Sequence, residues 1–451
     1  MFKAQSDIAR TLKPTLGFWA LTIYGVGDIL GAGIYALVGE IAAVAGAQSS
    51  IAFAVALVVA GLTGLSYAEL GGRFPKSGGE AHFCERAFGS PDLALFVGWL
   101  VLCSGIVSMA TMSRAFAGYA LQFLPGAIPF VEPAAAGLIL CVLAGINFWG
   151  IRQSSMLNIV FTAIEFAGLV IVIVVGVMFL TNSAPPSPES ATPIEATPVM
   201  QPWIGVLQGA ALAFFAFIGF EDMVNVAEEV KQPKRTIPAA IVTALIVSGA
   251  VYMLVVWIAT SVVAPADLAA SKAPLLEVVK RAAPAFPPIL FTVIAIFAVS
   301  NTGLLNFITA SRLLYGMSNQ RLAPQWLARV HPTTRTPSRS ILVVLLTAIA
   351  LAWSGTLQFL AGTTSFLVLL IFLSVNLALL RVRYSKSLPS SGFRVPIVVP
   401  IVAAITSVAL VFFLPVESFH RVFVLLGIGL VLVFVRRFST SREESSETGR
   451  S

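Results

Sequence analysis

The sequence predicts an all-α integral membrane protein of twelve transmembrane helices, and three observations carry that prediction. Of 451 residues, 57% are hydrophobic and 11% charged, against about 25% charged in a typical soluble domain. Apolar runs recur along the whole length, most near the roughly 20 residues that cross a hydrocarbon core. Lys and Arg fall almost entirely on alternate connections, the asymmetry that orients a polytopic chain.

The runs lie at about 17–43, 50–72, 93–123, 132–151, 156–181, 203–227, 237–263, 285–316, 339–354, 358–380, 395–414 and 418–436. The ninth is short, and the third and eighth are long. With both termini inside, the outer segments hold only Lys272, Lys280, Arg281 and Arg421, while Arg114 lies within span three. The net charge of +7 is therefore a topology signal, and nothing else points to nucleic acid. Residues 1–16 read as a cytoplasmic segment, 17–437 as one transmembrane domain and 438–451 as a cytoplasmic tail. No cleavable signal peptide is expected. The Pro-rich stretch 182–202 reads as a flexible outer linker, and the polar tail from Ser439 is expected to be disordered. Cys84, Cys103 and Cys141 have no metal or disulfide spacing and read as buried apolar residues. His82, His331 and His420 form no cluster, so no metal is assigned. The charges Glu228, Glu229, Lys231, Lys234 and Arg235 read as surface ion pairs anchoring an inner loop.

Two spans are interrupted at matching places. In GDILGAGIYALVG, Gly27, Gly31 and Gly33 break the first span around Asp28. In FFAFIGFED, Gly219 precedes Glu221 and Asp222. Glycine and charge in mid-span free backbone groups that lipid cannot satisfy, so they survive around a protected polar cavity. Paired interruptions in two halves of a chain point to a site near the bilayer midplane.

At these residues the chain resembles the amino acid–polyamine–organocation superfamily, specifically its amino acid permeases. Four stretches carry the likeness: GAGIYALVG, YAELGGRFPKSGGEAHFCERAFG, FFAFIGFEDMVNVAEEVKQPKRTIP and ASRLLYGMSNQRLAPQWLARVHPTTRTP. The resemblance implies two inverted five-helix repeats, spans 1–5 and 6–10, plus two further helices, with spans one and six unwound. It also implies a secondary transporter in the cell membrane that moves an amino acid by alternating access. Amides near Gly31, Ala32 and Gly33, beside Asp28, would favour the substrate carboxylate at a half-helix N-terminus. Small residues there let a ligand approach the backbone, although GAGIY is also a small-residue packing motif. Carbonyls around Ala216, Phe217 and Gly219 would accept from the substrate ammonium. Family likeness places one aromatic above the substrate as a gate, with Phe214 and Phe217 as candidates.

Charges inside a span cost about 2.5–3.5 kcal/mol each on insertion scales, so Asp28, Glu165, Glu221, Asp222 and Arg114 default to function. Glu221 stands where relatives carry an acid joined to the broken span, and it also suits a cap on the second half of span six. Glu165 falls near the position where proton-coupled relatives carry a lysine. An acid there, with Asp28, could carry a proton, or Arg114 could neutralise one of the two in a static pair. A sodium site is the other option, with Ser300 and Thr302 supplying hydroxyls. No cofactor is expected beyond a coupling H+ or Na+. Gly25-Val26-Gly27-Asp28 matches the GxGD pattern of intramembrane aspartyl proteases, but Asp28 lies in the first span, with no preceding span to bear the partner aspartate, so an enzyme is not expected. A polyamine or organic amine transporter, an amino acid exchanger and a non-transporting sensor remain the alternatives.

Overall fold

The computed structural model describes residues 15–76, 78–123, 130–182, 202–320, 322–385 and 392–448, apart from the side chains of 151–156, 202 and 438–448. Most of the predicted outer linker and the N-terminal segment therefore lie outside the described residues. Helices begin where proline or a hydroxyl allows it. Proline is the first residue of six of them, where its missing N–H is no loss. Ser90 and Thr356 each accept a hydrogen bond from the amide three residues on.

The helices are α1 Phe18–Ile29, α2 Gly33–Ala45, α3 Ser49–Arg73, α4 Gly79–Phe88, α5 Pro91–Ala120, α6 Val131–Trp149, α7 Ile151–Asn182 and α8 Pro202–Ala213. They continue as α9 Pro233–Val262, α10 Pro265–Ala270, α11 Pro274–Ala282, α12 Pro288–Asn319, α13 Ser338–Trp353, α14 Leu357–Tyr384, α15 Val398–Val411 and α16 Val416–Thr448. Among the described residues nine helical stretches are long and apolar enough to cross a membrane, and three shorter apolar helices are α1, α13 and α15. Large apolar side chains such as Ile246, Trp257, Leu346 and Val431 face outward, as lipid rather than water demands. Two expectations are corrected. α16 runs on to Thr448 instead of ending at 437, since Arg442, Glu443 and Glu444 are good helix formers. Cys141 is exposed on the outer face of α6, while Cys84 and Cys103 are buried.

Long helices pack in pairs: α3 lies along α9, and α5 lies along both α12 and α14. Charge fastens the two ends of the bundle. At one end the fully buried Glu69 of α3 accepts from Arg73 at 2.6 Å, from Arg383 of α14 and from the Val395 amide at 2.9 Å. A lone buried carboxylate would be costly, and these donors satisfy both its oxygens. At the other end Glu132 of α6 joins Arg114 of α5 at 2.8 Å and Lys272, between α10 and α11. The segment entering α1 is held by main chain: the Thr15 and Leu16 amides donate to the Glu229 carbonyl at 2.8 and 2.9 Å, and the Lys231 amide donates to Leu16. The loop carrying Glu228–Arg235 is thus anchored through its backbone to the start of the first span.

Candidate substrate and ion site

In the first span the helical ladder stops at Ile29, Leu30–Ala32 bend, and α2 restarts at Gly33. Neither end has a side-chain cap of its own, so backbone groups are left over on both sides. Other helices take two of them. The Tyr252 hydroxyl of α9 donates to the Ile29 carbonyl, and the Ala32 amide donates to Thr302 Oγ1 of α12 at 2.9 Å. The Gly31 and Gly33 amides have no acceptor among the described residues.

The second break is wound differently. After α8, Phe214–Phe217 form a 3-10 turn, the chain bends at Ile218–Gly219, and further 3-10 turns cover Phe220–Val224 and Ala227–Glu229. Gly219 has φ +134°, a conformation that side chains rarely adopt. Its amide donates to Glu221 Oε2 at 2.8 Å, so Glu221 folds back as a cap. The two breaks touch backbone to backbone. A Cβ on Gly219 would lie 2.8 Å from the Asp28 carbonyl carbon, and one on Gly33 would lie 2.5 Å from Ala216 Cα. Glycine at 33 is therefore required by Ala216, and at 31 a Cβ would meet Thr302 Oγ1 at 2.6 Å. Close packing across the breaks, more than ligand approach, selects these residues.

A cavity of about 90 Å3 lies against both breaks. Asp28, Gly31, Ala32, Gly33, Ala216, Gly219, Glu221, Asp222 and Thr302 are among the residues that line it. Asp28 faces Asp222, and the Asn225 amide donates to Asp222 Oδ1 at 3.0 Å. Glu80 of α4 closes one side, its Oε1 accepting from the Tyr67 hydroxyl at 3.0 Å. Burial pushes the Glu80 carboxyl up to about 7, with Asp222 acting the same way. Four carboxyls thus line the cavity without any Lys, Arg or His. Thr309, which also lines it, is exposed. The connection bearing α10 is pressed onto the bundle: the Leu268 carbonyl sits 2.7 Å from where a Cβ on Gly39 would be.

Five predicted residues sit elsewhere. Phe214 and Phe217 do not line the cavity; they are one 3-10 turn apart and share a face. Phe214 packs edge-on to Phe372 at 5.5 Å, and Phe217 packs on Tyr252 at 5.4 Å. Phe215, between them, lines the cavity instead. Ser300 is buried in α12 away from the cavity. Arg114 neutralises neither Asp28 nor Glu165, because its guanidinium reaches outward to Glu132; long basic side chains extend toward the nearest polar rim.

Glu165 is 1% exposed and lies outside the central cavity. Asn301 Nδ2 donates to its Oε2 at 3.3 Å and to Thr162 Oγ1 at 3.0 Å, linking α12 to α7. Glu165 lines a second crevice between α1, α7 and α9, and Asp28 lines both spaces. Glu165 Oε1 and Asp28 Oδ2 have no hydrogen-bond partner among the described residues. Sequence reasoning missed Phe215, Glu80, Asn225, Asn301 and Asn306. A signal existed for Asn306: Thr302, Asn306 and Thr309 form a polar stripe at helical spacing in an apolar run. Asn306 Nδ2 donates to the Thr302 carbonyl at 3.0 Å and to Ser108 Oγ of α5 at 3.1 Å.

Apolar spans around a small polar cavity, where two broken helices meet, define a multi-pass membrane permease. The chain belongs to the amino acid permease family, whose model matches residues 16–433. It is similar to an uncharacterised transporter of Mycobacterium tuberculosis (strain ATCC 25618 / H37Rv), 31% identical over 443 residues, covering 98% of this chain and 96% of the relative. It is also similar to cationic amino acid transporter 4 of Mus musculus, 31% identical over 410 residues, covering 86% of this chain and 62% of that one. The branched-chain amino acid permease of Bacillus subtilis (strain 168) is 27% identical over 445 residues, covering 94% and 93%.

Proposed function

We propose that the chain is a secondary active transporter that carries an amino acid across the cell membrane by alternating access, coupled to protons. Its termini are cytoplasmic, and its spans form two inverted five-helix repeats and two further helices. The observation that carries this reading is the meeting of the two breaks at one cavity. Gly31 and Gly33, with unpartnered amides, line it together with the carboxyls of Asp28, Glu221 and Asp222. An α-amino acid presents the complementary ends: its carboxylate suits the amides at a helix start, and its ammonium suits the acids. A lining of four carboxyls with no basic side chain favours a substrate with a second positive charge, as the name of the mouse relative also suggests. Polyamines would satisfy the acids yet leave the amides without an anion.

Proton coupling is assigned to Glu165 and Asp28, with Glu221 as gate. Both carriers have an unpartnered carboxyl oxygen, and no cation is bonded to either among the described residues. Two carboxyls close together in a low dielectric resist double ionisation, so the pair can hold a proton and expose it to each side in turn. Proteoliposome uptake of arginine and leucine under imposed pH or sodium gradients tests the reading. An inward pH gradient should accelerate uptake, and Glu165→Gln should abolish that acceleration while leaving substrate-for-substrate counterflow largely intact. Agmatine should bind at least tenfold more weakly than arginine. Stimulation by sodium alone would make the protein a sodium symporter, response to neither gradient would make it an exchanger, and equal agmatine binding would remove the carboxylate assignment.

A further inference from the structure

The crevice between α1, α7 and α9 is unlike the central cavity. Its volume is about 730 Å3, in the range that holds a drug-sized ligand. Its walls are apolar and open to the membrane: Trp19 is 71% exposed, Ile23 68% and Ile159 70%, with Phe166 and Val247 completing the rim. Its floor is polar. Beneath it Glu165 Oε1 is buried without a partner, and Asp28 Oδ2, Asn158 Oδ1 and Thr22 Oγ1 are likewise buried and without partners among the described residues. Asn158 Oδ1 can only accept, two more of the four are carboxyl oxygens, and no Lys, Arg or His lines the crevice. Lipid tails could fill the walls, but they would leave these acceptors bare in a medium where bare polar groups are costly.

We propose that this crevice is a lateral binding site for an amphiphilic amine, whose ammonium sits on Glu165 and Asp28 and whose apolar body lies among Ile23, Ile159, Phe166 and Val247. Charge complementarity selects the occupant: an ammonium brings the donors that the floor lacks, and a neutral lipid does not. Tyr24 and Trp19 add aromatic faces that attract a cation. The site differs from the central cavity in ligand class, because it offers no free amide for a carboxylate and opens to the bilayer. An occupant there is wedged between α1 and α7 directly beside the break in the first span.

The test uses the full chain in lipid nanodiscs and 4-(4-bromophenyl)butylamine, with 4-(4-bromophenyl)butan-1-ol as its neutral partner. Bromine quenches tryptophan fluorescence on contact, and Trp19 lines the site. The amine should quench saturably at a concentration at least tenfold below that of the alcohol, and Trp19→Phe should remove most of the saturable component. Glu165→Gln should weaken the amine at least tenfold without changing the alcohol. Ala163→Phe, which fills the crevice from its exposed rim, should block saturable quenching while leaving amino acid counterflow intact; this variant keeps the test valid if Glu165→Gln does not fold. Equal quenching by amine and alcohol, quenching that survives both Glu165→Gln and Ala163→Phe, or no saturable quenching at all would each overturn the proposal. None of these readouts depends on proton coupling or on the identity of the transported substrate.

Discussion

The two broken spans solve one problem in opposite ways. The first break is short and is held from outside: Tyr252 and Thr302, from α9 and α12, take up its loose carbonyl and amide. The second is long and holds its own main chain, through 3-10 winding and the Glu221 carboxylate turned back on the Gly219 amide, while its rings pack on Phe372 of α14 and Tyr252 of α9. A break fastened to other helices reports their movement, whereas a self-fastened break can travel as a unit. The difference suggests that the first span registers where α9 and α12 stand, and that the second carries Glu221 and Asp222 with it.

The largest effect should come from the point where the breaks touch. Gly219→Ala places a side chain at φ +134° and within 2.9 Å of the Asp28–Ile29 peptide. The backbone conformation alone costs about 1–3 kcal/mol, and the clash separates the breaks, so uptake should vanish along with substrate-induced thermal stabilisation. Next is the aromatic support of the second break. Phe217→Ala should lower stability by about 3–5 kcal/mol, whereas Phe215→Ala should mainly weaken substrate affinity. Equal stability losses in a denaturation series would erase the distinction between the two rings. Smaller still is Thr302→Val, which strands the Ala32 amide at a cost of about 1–3 kcal/mol. Thr302→Ser should restore the melting temperature, and a Val variant as stable as the parent would mean that the first break does not depend on α12.

The smallest effect is pH-dependent and lies beside the second break. The Glu80 carboxyl is pushed up to about 7 by burial, so the folded state holds its proton more tightly than the unfolded state does. Its contribution to stability is fully present below about pH 4.5, the ordinary Glu value, and is lost as pH rises through 7. Glu80→Gln should therefore flatten the decline in melting temperature between pH 5 and 8. An unchanged slope would assign that decline to other groups.

The fold was legible because lipid imposes a coarse rule, about 20 apolar residues per crossing, and the runs obey it. The breaks were legible for the same reason, since glycine beside acid has no other place in a span. The roles of individual rings were not. Helical spacing of 3.6 cannot say which of Phe214, Phe215 and Phe217 faces the cavity once the segment winds with three residues per turn. Arg114 was misplaced because sequence gives its depth but not its reach, and Glu132 lies on the next helix. Asn301 carried no signal at all: a lone asparagine in an apolar helix becomes informative only when Glu165 and Thr162 of α7 are seen against it.

The carboxylate of Glu69 has a mechanical consequence. Two guanidiniums and one main-chain amide, drawn from α3, α14 and the approach to α15, converge on a side chain with no exposed surface. Pulling any one of them away would strand a charge in the interior, so these three pieces form a single girder. A hinge in the bundle is expected around that girder rather than through it. The moving parts are then left to the helices it does not bind, with the two unwound segments first among them.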